Sequence, residues 1–127
     1  MDRIEKCKDK FEKLFGGKPT QNEGNDPEFM RILQRFIFGE VSYTGSLGDE
    51  MRELVTVTVL TVNQTLPQLK AHVGACLNIG IAPAAIRETI YQCAPFIGFP
   101  KTLNAIAAMD EVFAANGIAL PRENGET

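Results

Sequence analysis

The residue types best suited to proton transfer in this sequence are a carboxylate and an imidazole, at Glu53 and His72. His72 is the only histidine, and Glu53 stands early in the segment that precedes the histidine segment. If both segments are helices joined by a short loop, they form a hairpin in which the two side chains can approach each other. A carboxylate that orients and charges an imidazole makes a general acid near neutral pH. The spacing also fits a histidine that packs in a core or an interface, so both interpretations stay open.

The cysteines are spaced in a way that favours neither redox nor metal chemistry. Cys7, Cys76 and Cys93 form neither a CxxC pair nor a set of zinc ligands, and we expect no metal ion. Reduced thiols in a cytoplasmic protein fit this pattern best. Cys76 lies one helical turn beyond His72, and Cys93 falls in the next segment. A reactive thiol at either position is the alternative to a buried structural cysteine.

An all-α fold of about six helices is expected to position these residues. The helix boundaries rest on local signals, namely Asp caps, prolines in first turns and glycines after last turns. The expected helices cover residues 2–15, 26 to about 37, 51 to about 63 after a cap by Asp49, 66–78, 83 to about 94 before Pro95, and 98 to about 116; residues 41–48 form a loop.

The stretch ELVTVTVLTV, residues 53–62, is ambiguous between helix and strand. Its alternating β-branched residues suit a strand. Its length, its caps and the lack of a hairpin partner favour a buried helix, in which threonines can bond back to carbonyls one turn earlier. The sequence therefore predicts a helix here.

The charge distribution predicts a homo-oligomer. From Leu54 to Pro100 the only charged side chains are Lys70, Arg87 and Glu88. Apolar helices without a solvated face need cover, and another subunit can supply it. A monomer with one large core is the alternative.

Composition excludes several other classes of protein. The 127 residues predict a single domain, 1–127, with a polar tail at 121–127. A formal charge of −3 offers no basic field for nucleic acid. The mixed charges of the first 18 residues indicate a solvated helix face rather than a binding arm. We expect no secretory signal and no membrane span, because the N-terminus lacks an apolar core and no apolar run is long enough.

An ordered set of short motifs resembles the carboxymuconolactone decarboxylase family. The motifs are Arg52-Glu53-Leu54 opening an apolar helix, His72 with a terminal Gly80, Ile86-Arg87-Glu88, and Gly98-Phe99-Pro100 with Asn104. The stretch FGEVSYTGSLGD is also similar to the family's loop before the first motif. The resemblance covers residues 29–116. It implies an alkylhydroperoxidase-D-like helical fold and a trimer or hexamer with active sites near subunit boundaries. From this implication we expect His72 to lie close to an interface in which the fourth and fifth helices take part.

The family's thiol branch differs from this chain at two positions. In that branch a glutamate, a CxxC pair and a histidine form a proton relay. Glu53 and His72 match the relay, but Thr65 and Gln68 stand at the cysteine positions. Neither threonine nor glutamine can form a thiolate or a disulfide. The resemblance therefore implies a chain without that thiol peroxidase site.

The family's decarboxylase branch implies a carboxy-lyase reaction without a cofactor, on a lactone that carries a carboxylate. Loss of CO₂ leaves an extended dienolate, which needs oxyanion stabilisation and a proton. His72 is the candidate proton donor or oxyanion partner, and Glu53 would orient it. Candidate substrate-binding residues are Arg52, as a carboxylate clamp, Gln68, and Tyr43 in the loop. A peroxidase or reductase using Cys76 or Cys93, and a non-catalytic binding module, remain alternatives.

Overall fold

The computed structural model describes residues 1–120, and over this range the expected all-α fold is confirmed. The helices are α1 (Arg3–Phe15), α2 (Pro27–Gly39), α3 (Asp49–Asn63), α4 (Leu66–Asn78), α5 (Pro83–Ile97) and α6 (Phe99–Ala115), with a 3-10 turn at Val41–Tyr43. No helix in residues 1–120 is long and apolar enough to cross a membrane. The predicted polar tail, 121–127, lies outside the described residues.

The chain divides into two compact units, Met1–Arg52 and Glu53–Thr127. Helix α3 begins at the end of the first unit and continues into the second. Whether the two units form a single domain over residues 1–127, as the sequence predicts, stays a prediction.

The first unit is built from α1, α2 and the 3-10 turn. The Asp2 carboxylate caps α1 by accepting the Glu5 N–H at 2.9 Å. The Asp26 carboxylate caps α2 by accepting the Phe29 N–H at 3.1 Å, with Pro27 in the first turn. The two helices approach closely at Gly39, where a Cβ would lie 2.6 Å from a backbone oxygen of α1. Three phenylalanine rings with centroids 4.8–5.8 Å apart fill the space between the helices: Phe11, Phe15 and Phe38.

The second unit has one hydrophobic core, to which α3, α4, α5 and α6 all contribute. Helices α4 and α5 both pack on α6. The core side chains are Val57, Leu69, Val73, Cys76, Ile81, Ile86, Ile90, Ala105, Ala108, Met109 and Phe113. These residues recur at helical spacing along each helix. Their burial fixes how α3 and α4 are rotated about their axes, and therefore where the candidate site residues on these two helices point.

The ambiguous stretch 53–62 is helical, as predicted, and Thr58 Oγ1 donates to the Leu54 carbonyl at 2.9 Å. Two boundary predictions were wrong. Helix α3 begins at Asp49 rather than after it, and the Asp49 carboxylate, which the sequence assigned to a cap, pairs instead with Lys10 and Lys13. Helix α5 continues past Pro95 to Ile97, since a proline in the last turn disturbs only the final hydrogen bonds, and Gly98 then ends the helix with φ of 90°.

Candidate active site

A short hydrogen bond joins the two side chains that the sequence singled out for proton transfer. His72 Nδ1 lies 2.7 Å from Glu53 Oε1. The pair is largely withdrawn from water, with 15% of the His72 side chain and 7% of the Glu53 side chain exposed. A hydrogen bond to a carboxylate is about twice as strong as one between neutral groups, and a low dielectric strengthens it further. The approach of the two residues, expected from the helical hairpin, is therefore observed.

The helical register of α3 and α4 aims these side chains at each other. Glu53, Val57 and Thr61 follow one another every fourth residue along α3, and all three are buried. On α4, His72 lies between the buried residues Leu69 and Cys76, one turn from each along the buried side of the helix. Packing of the apolar neighbours thus fixes both backbones, so the carboxylate and the imidazole meet without a mobile loop.

The connection between α3 and α4 is held by the side-chain amide of Gln64. Gln64 has φ of 59°, which lets the chain reverse within two residues. Its Nε2 donates to the Thr61 carbonyl at 2.7 Å and to the Lys101 carbonyl at 2.9 Å. Its Oε1 accepts a bond of 3.0 Å from Asn104 Nδ2. Asn104 thus ties the turn between α3 and α4 to α6.

The thiols of the second unit are poorly suited to nucleophilic chemistry. Cys76 is fully buried, and burial, with a further contribution from the Glu53 charge, raises the pKa of its thiol to about 12. Burial also raises the pKa of the Cys93 thiol, whose Sγ lies 3.5 Å from the Thr89 carbonyl oxygen. The thiolate is the reactive form of cysteine, and both environments oppose it. This finding argues against the alternative of a thiol peroxidase or reductase.

Arg52 anchors the loop that precedes α3. Its guanidinium donates to three backbone carbonyls, those of Val41, Thr44 and Leu47. A substrate carboxylate would have to compete with these carbonyls for the same donors. A role of Arg52 in substrate binding stays a prediction.

Tyr43 also lies in the first unit. Its hydroxyl donates to the Lys6 carbonyl at 3.3 Å, and the ammonium groups of Lys6 and Lys10 lie 5.3 and 4.8 Å from its ring centroid. Burial, followed by the charges of Asp9 and Asp49, raises the pKa of the Tyr43 phenol. Tyr43 is thus held within its own unit, and its role as a lid over a substrate stays a prediction.

Comparison with known proteins gives two findings. The model of the carboxymuconolactone decarboxylase family matches residues 27–111. A 4-carboxymuconolactone decarboxylase from Acinetobacter baylyi is 33% identical over 97 residues, which are 76% of this chain and 72% of that protein. The chain belongs to the carboxymuconolactone decarboxylase family. The match includes Glu53, His72 and the helices that carry them.

Within this family fold, Thr65 and Gln68 mark the difference from the thiol branch. Thr65 precedes α4 and Gln68 lies in its first turn, and both are exposed. Gln68 stands one turn before His72 on the same side of α4, so its amide is the predicted substrate-binding group closest to His72 along the helix. Over residues 1–120, no three His, Cys, Asp or Glu side chains group closely enough to hold a metal ion.

Sequence reasoning did not identify a large open groove on this family member. It has a volume of about 680 Å³, and α3 and α5 line it. The polar residues of the groove are Thr58, Glu88, Thr89 and Gln92. Glu88, Thr89 and Gln92 follow one another on α5 at spacings of one and three residues. This spacing, which places polar side chains close together on one side of a helix, was the sequence signal that could have indicated the groove. Neither Glu53 nor His72 lines this groove, so the proton-transfer pair and the groove are separate features of the second unit.

Proposed function

We propose that this protein is a carboxymuconolactone decarboxylase-like enzyme, which decarboxylates a small lactone carboxylic acid without a cofactor. The observation that carries the proposal is the hydrogen bond of 2.7 Å between His72 Nδ1 and Glu53 Oε1, both largely buried, in a chain of this family. The Acinetobacter baylyi relative, named 4-carboxymuconolactone decarboxylase, supports the substrate class.

In the proposed reaction, the bond between the ring carbon and the substrate carboxylate breaks and CO₂ leaves. The electron pair of that bond enters an extended dienolate, whose charge spreads to the lactone oxygen. A proton must then reach carbon, and a positioned acid speeds such a transfer by about 10²–10⁴-fold. Because Nδ1 of His72 is hydrogen-bonded to Glu53, Nε2 is the ring atom that delivers this proton. The imidazole regains a proton from solvent after product release.

Glu53 acts on this reaction through His72. Its carboxylate fixes the ring orientation and stabilises the imidazolium, as second partners of catalytic imidazoles do in other enzymes. Glu53 is therefore a positioning residue. Gln68, one turn before His72 on α4, is the proposed partner for a substrate oxygen, and Arg52 and Tyr43 remain proposed substrate-binding residues.

The direct test is turnover of carboxymuconolactone by the purified full chain, followed as CO₂ release and loss of the lactone. We expect turnover by the wild type and a loss of about 10²-fold or more in kcat for His72→Gln. For Glu53→Gln we expect a smaller loss, in kcat rather than in KM, because the ring keeps a hydrogen-bond acceptor but loses its charged partner.

Lys70→Gln is the matched control, because Lys70 lies on the same helix and pairs with Glu111 rather than with the site. It should keep wild-type turnover. Absence of turnover on carboxymuconolactone and on related lactone acids would remove this substrate class. Equal turnover by wild type and His72→Gln would remove the proposed proton donor.

The protein is further proposed to act as a homo-oligomer, a trimer or a hexamer. Within residues 53–120, large apolar side chains remain in water on three helices. Val55, Val59 and Val62 on α3 are 42–49% exposed. Phe96 at the end of α5 is 80% exposed, and Phe99 at the start of α6 is 74% exposed. The three valines recur at helical spacing on one face of α3, and exposed apolar side chains of this kind favour an interaction site. The predicted participation of α4 and the closeness of His72 to the interface stay predictions.

Light scattering coupled to gel filtration measures the assembly directly. We expect a mass of three or six times 14.0 kDa at micromolar concentration. A mass of 14.0 kDa under those conditions would contradict the proposal. Replacing Val59 by Glu should lower the assembled fraction without unfolding the chain, since that side chain is half exposed.

A further inference from the structure

The first unit contains a small pocket whose charged lining is entirely positive. It lies between α1, α2 and the segment that joins them, with a volume of about 200 Å³. The cations on its walls are Lys8, Lys18, Arg31 and Arg35. No carboxylate lines this pocket, although the first 52 residues carry ten aspartates and glutamates. The positive charge is therefore a property of the pocket and not of the unit as a whole.

None of these four cations forms an ion pair among residues 1–120. Arg31 donates to the Gln21 carbonyl and, at 3.4 Å, to Asn22 Oδ1, so it holds the joining segment in place. Lys8, Lys18 and Arg35 form no salt bridge within the described residues. Like charges placed together repel each other, and a bound anion removes that repulsion.

A buried amide adds a neutral donor to the same pocket. Gln34 lines it, and the residue is only 7% exposed. Its Oε1 accepts the Thr20 N–H at 2.9 Å, so the acceptor end of the amide is engaged and its orientation is fixed. Its Nε2 makes no hydrogen bond within residues 1–120 and is available to an acceptor in the pocket. Because Gln34 lines the pocket and the position of its amide is fixed by the bond to Thr20, an acceptor bound in the pocket can take a directed hydrogen bond from Nε2.

The walls of the pocket are preformed. The Thr20 bond to Gln34 and the Arg31 bonds to residues 21 and 22 attach both sides of the joining segment to α2. A ligand therefore meets fixed donors and does not have to order the segment, which favours binding.

We infer that this pocket binds a compact oxyanion of about two negative charges, either a small dicarboxylate or a phosphate. Arg35, Lys8 and Lys18 supply the charge, and Gln34 Nε2 supplies a directed hydrogen bond. Guanidinium groups bind carboxylates and phosphates through paired bonds. The volume, about 200 Å³, lies below the usual range of about 300–1,000 Å³ for larger organic ligands. The site belongs to the first unit, whereas the Glu53–His72 pair belongs to the second, so it stands independently of the proposed reaction.

Titration calorimetry on the full chain at low, constant ionic strength tests this site with three probes: succinate, inorganic phosphate and acetate. We expect succinate, phosphate or both to bind, and acetate, with one charge, to bind at least about fivefold more weakly. Binding of succinate alone identifies a carboxylate site, and binding of phosphate alone identifies a phosphate site. Binding of both shows recognition by charge.

Two variants locate the binding. Arg35→Gln and Lys18→Gln should each raise the Kd about tenfold, the effect of losing one charged hydrogen bond. Lys101→Gln removes the same charge from an exposed position of α6 and should change the Kd by less than about twofold. If Arg35→Gln fails to fold by circular dichroism, Lys18→Gln decides, because Lys18 lies outside the helices. The weakest affinity of interest is a Kd of about 10 mM. The proposal would be overturned if neither succinate nor phosphate bound at that concentration. It would also be overturned if Lys18→Gln bound the oxyanion with the affinity of the wild type.

Discussion

Removing the carboxylate of Glu53 should destabilise the second unit by an amount that its burial sets. The Glu53 carboxylate is 7% exposed, and its Oε1 lies 2.7 Å from His72 Nδ1, so its removal leaves a buried imidazole nitrogen without that partner. Breaking one side of a buried pair costs about 3–5 kcal/mol. We therefore expect Glu53→Ala to lower the free energy of unfolding by about 3–4 kcal/mol, with the lost side-chain packing included.

Glu53→Gln separates charge from shape in the same position. The amide oxygen still accepts from His72 Nδ1, so the loss should be only about 1–2 kcal/mol. A double-mutant cycle with His72→Gln isolates the interaction itself, for which we expect about 1.5–3 kcal/mol.

Urea denaturation followed by circular dichroism, at one fixed protein concentration, measures these values, since assembly changes apparent stability. Glu88→Ala is the control, because Glu88 is an exposed carboxylate on α5, and its loss should be within about 0.5 kcal/mol. A loss below about 1 kcal/mol for Glu53→Ala, or a coupling energy near zero, would refute the reasoning about this pair.

Three further predictions follow from other contacts. Because burial raises the pKa of Cys76 to about 12, its thiol should resist a disulfide reagent at pH 8 until the chain is unfolded; rapid labelling of the native protein would contradict its burial. Burial raises the pKa of Asp49, but bonds from Lys10 and Lys13 outweigh it, so the folded-state pKa lies below its ordinary value. Asp49→Asn should therefore cost about 1 kcal/mol at pH 7. This difference should fade as the pH falls through that lowered pKa; a difference that persists at lower pH would exclude the charge as its cause. Asn104→Ala should lower the free energy of unfolding by about 1 kcal/mol, because it removes the hydrogen bond to Gln64. Lys101→Gln, measured in the same way, is the near-neutral control. If both variants lost the same free energy of unfolding, the bond to Gln64 would not contribute to stability.

The sequence predicted the helices well because their limits are local. Asp26-Pro27 and Leu66-Pro67 start helices through capping or a fixed φ, and neither depends on distant residues. The strand-like stretch 53–62 was correctly assigned as a helix because length and caps outweighed its β-branched residues. At Asp49 the prediction failed, because the partners of that carboxylate lie more than 35 residues earlier in the chain.

The candidate site was predictable to the extent that helical register determines it. Glu53 and His72 lie on consecutive helices, and burial of neighbouring apolar residues leaves them facing each other. The partners of Arg52 were not predictable, because backbone carbonyls of an irregular loop leave no mark in the sequence. The cationic pocket was not predicted either, because its four cations are spread over residues 8–35 and only the folded segment between α1 and α2 brings them to one pocket.

The central claim is that His72, held by Glu53, delivers a proton to the carbon of a decarboxylated lactone acid. Decarboxylation of carboxymuconolactone in D₂O tests it most directly, with CO₂ and the deuterated product measured together. The account predicts one deuteron for each CO₂, on a single face of the receiving carbon, because one positioned group delivers it. His72→Gln should lose this reaction. Deuterium on both faces, or the same rate and stereochemistry in His72→Gln, would contradict the account.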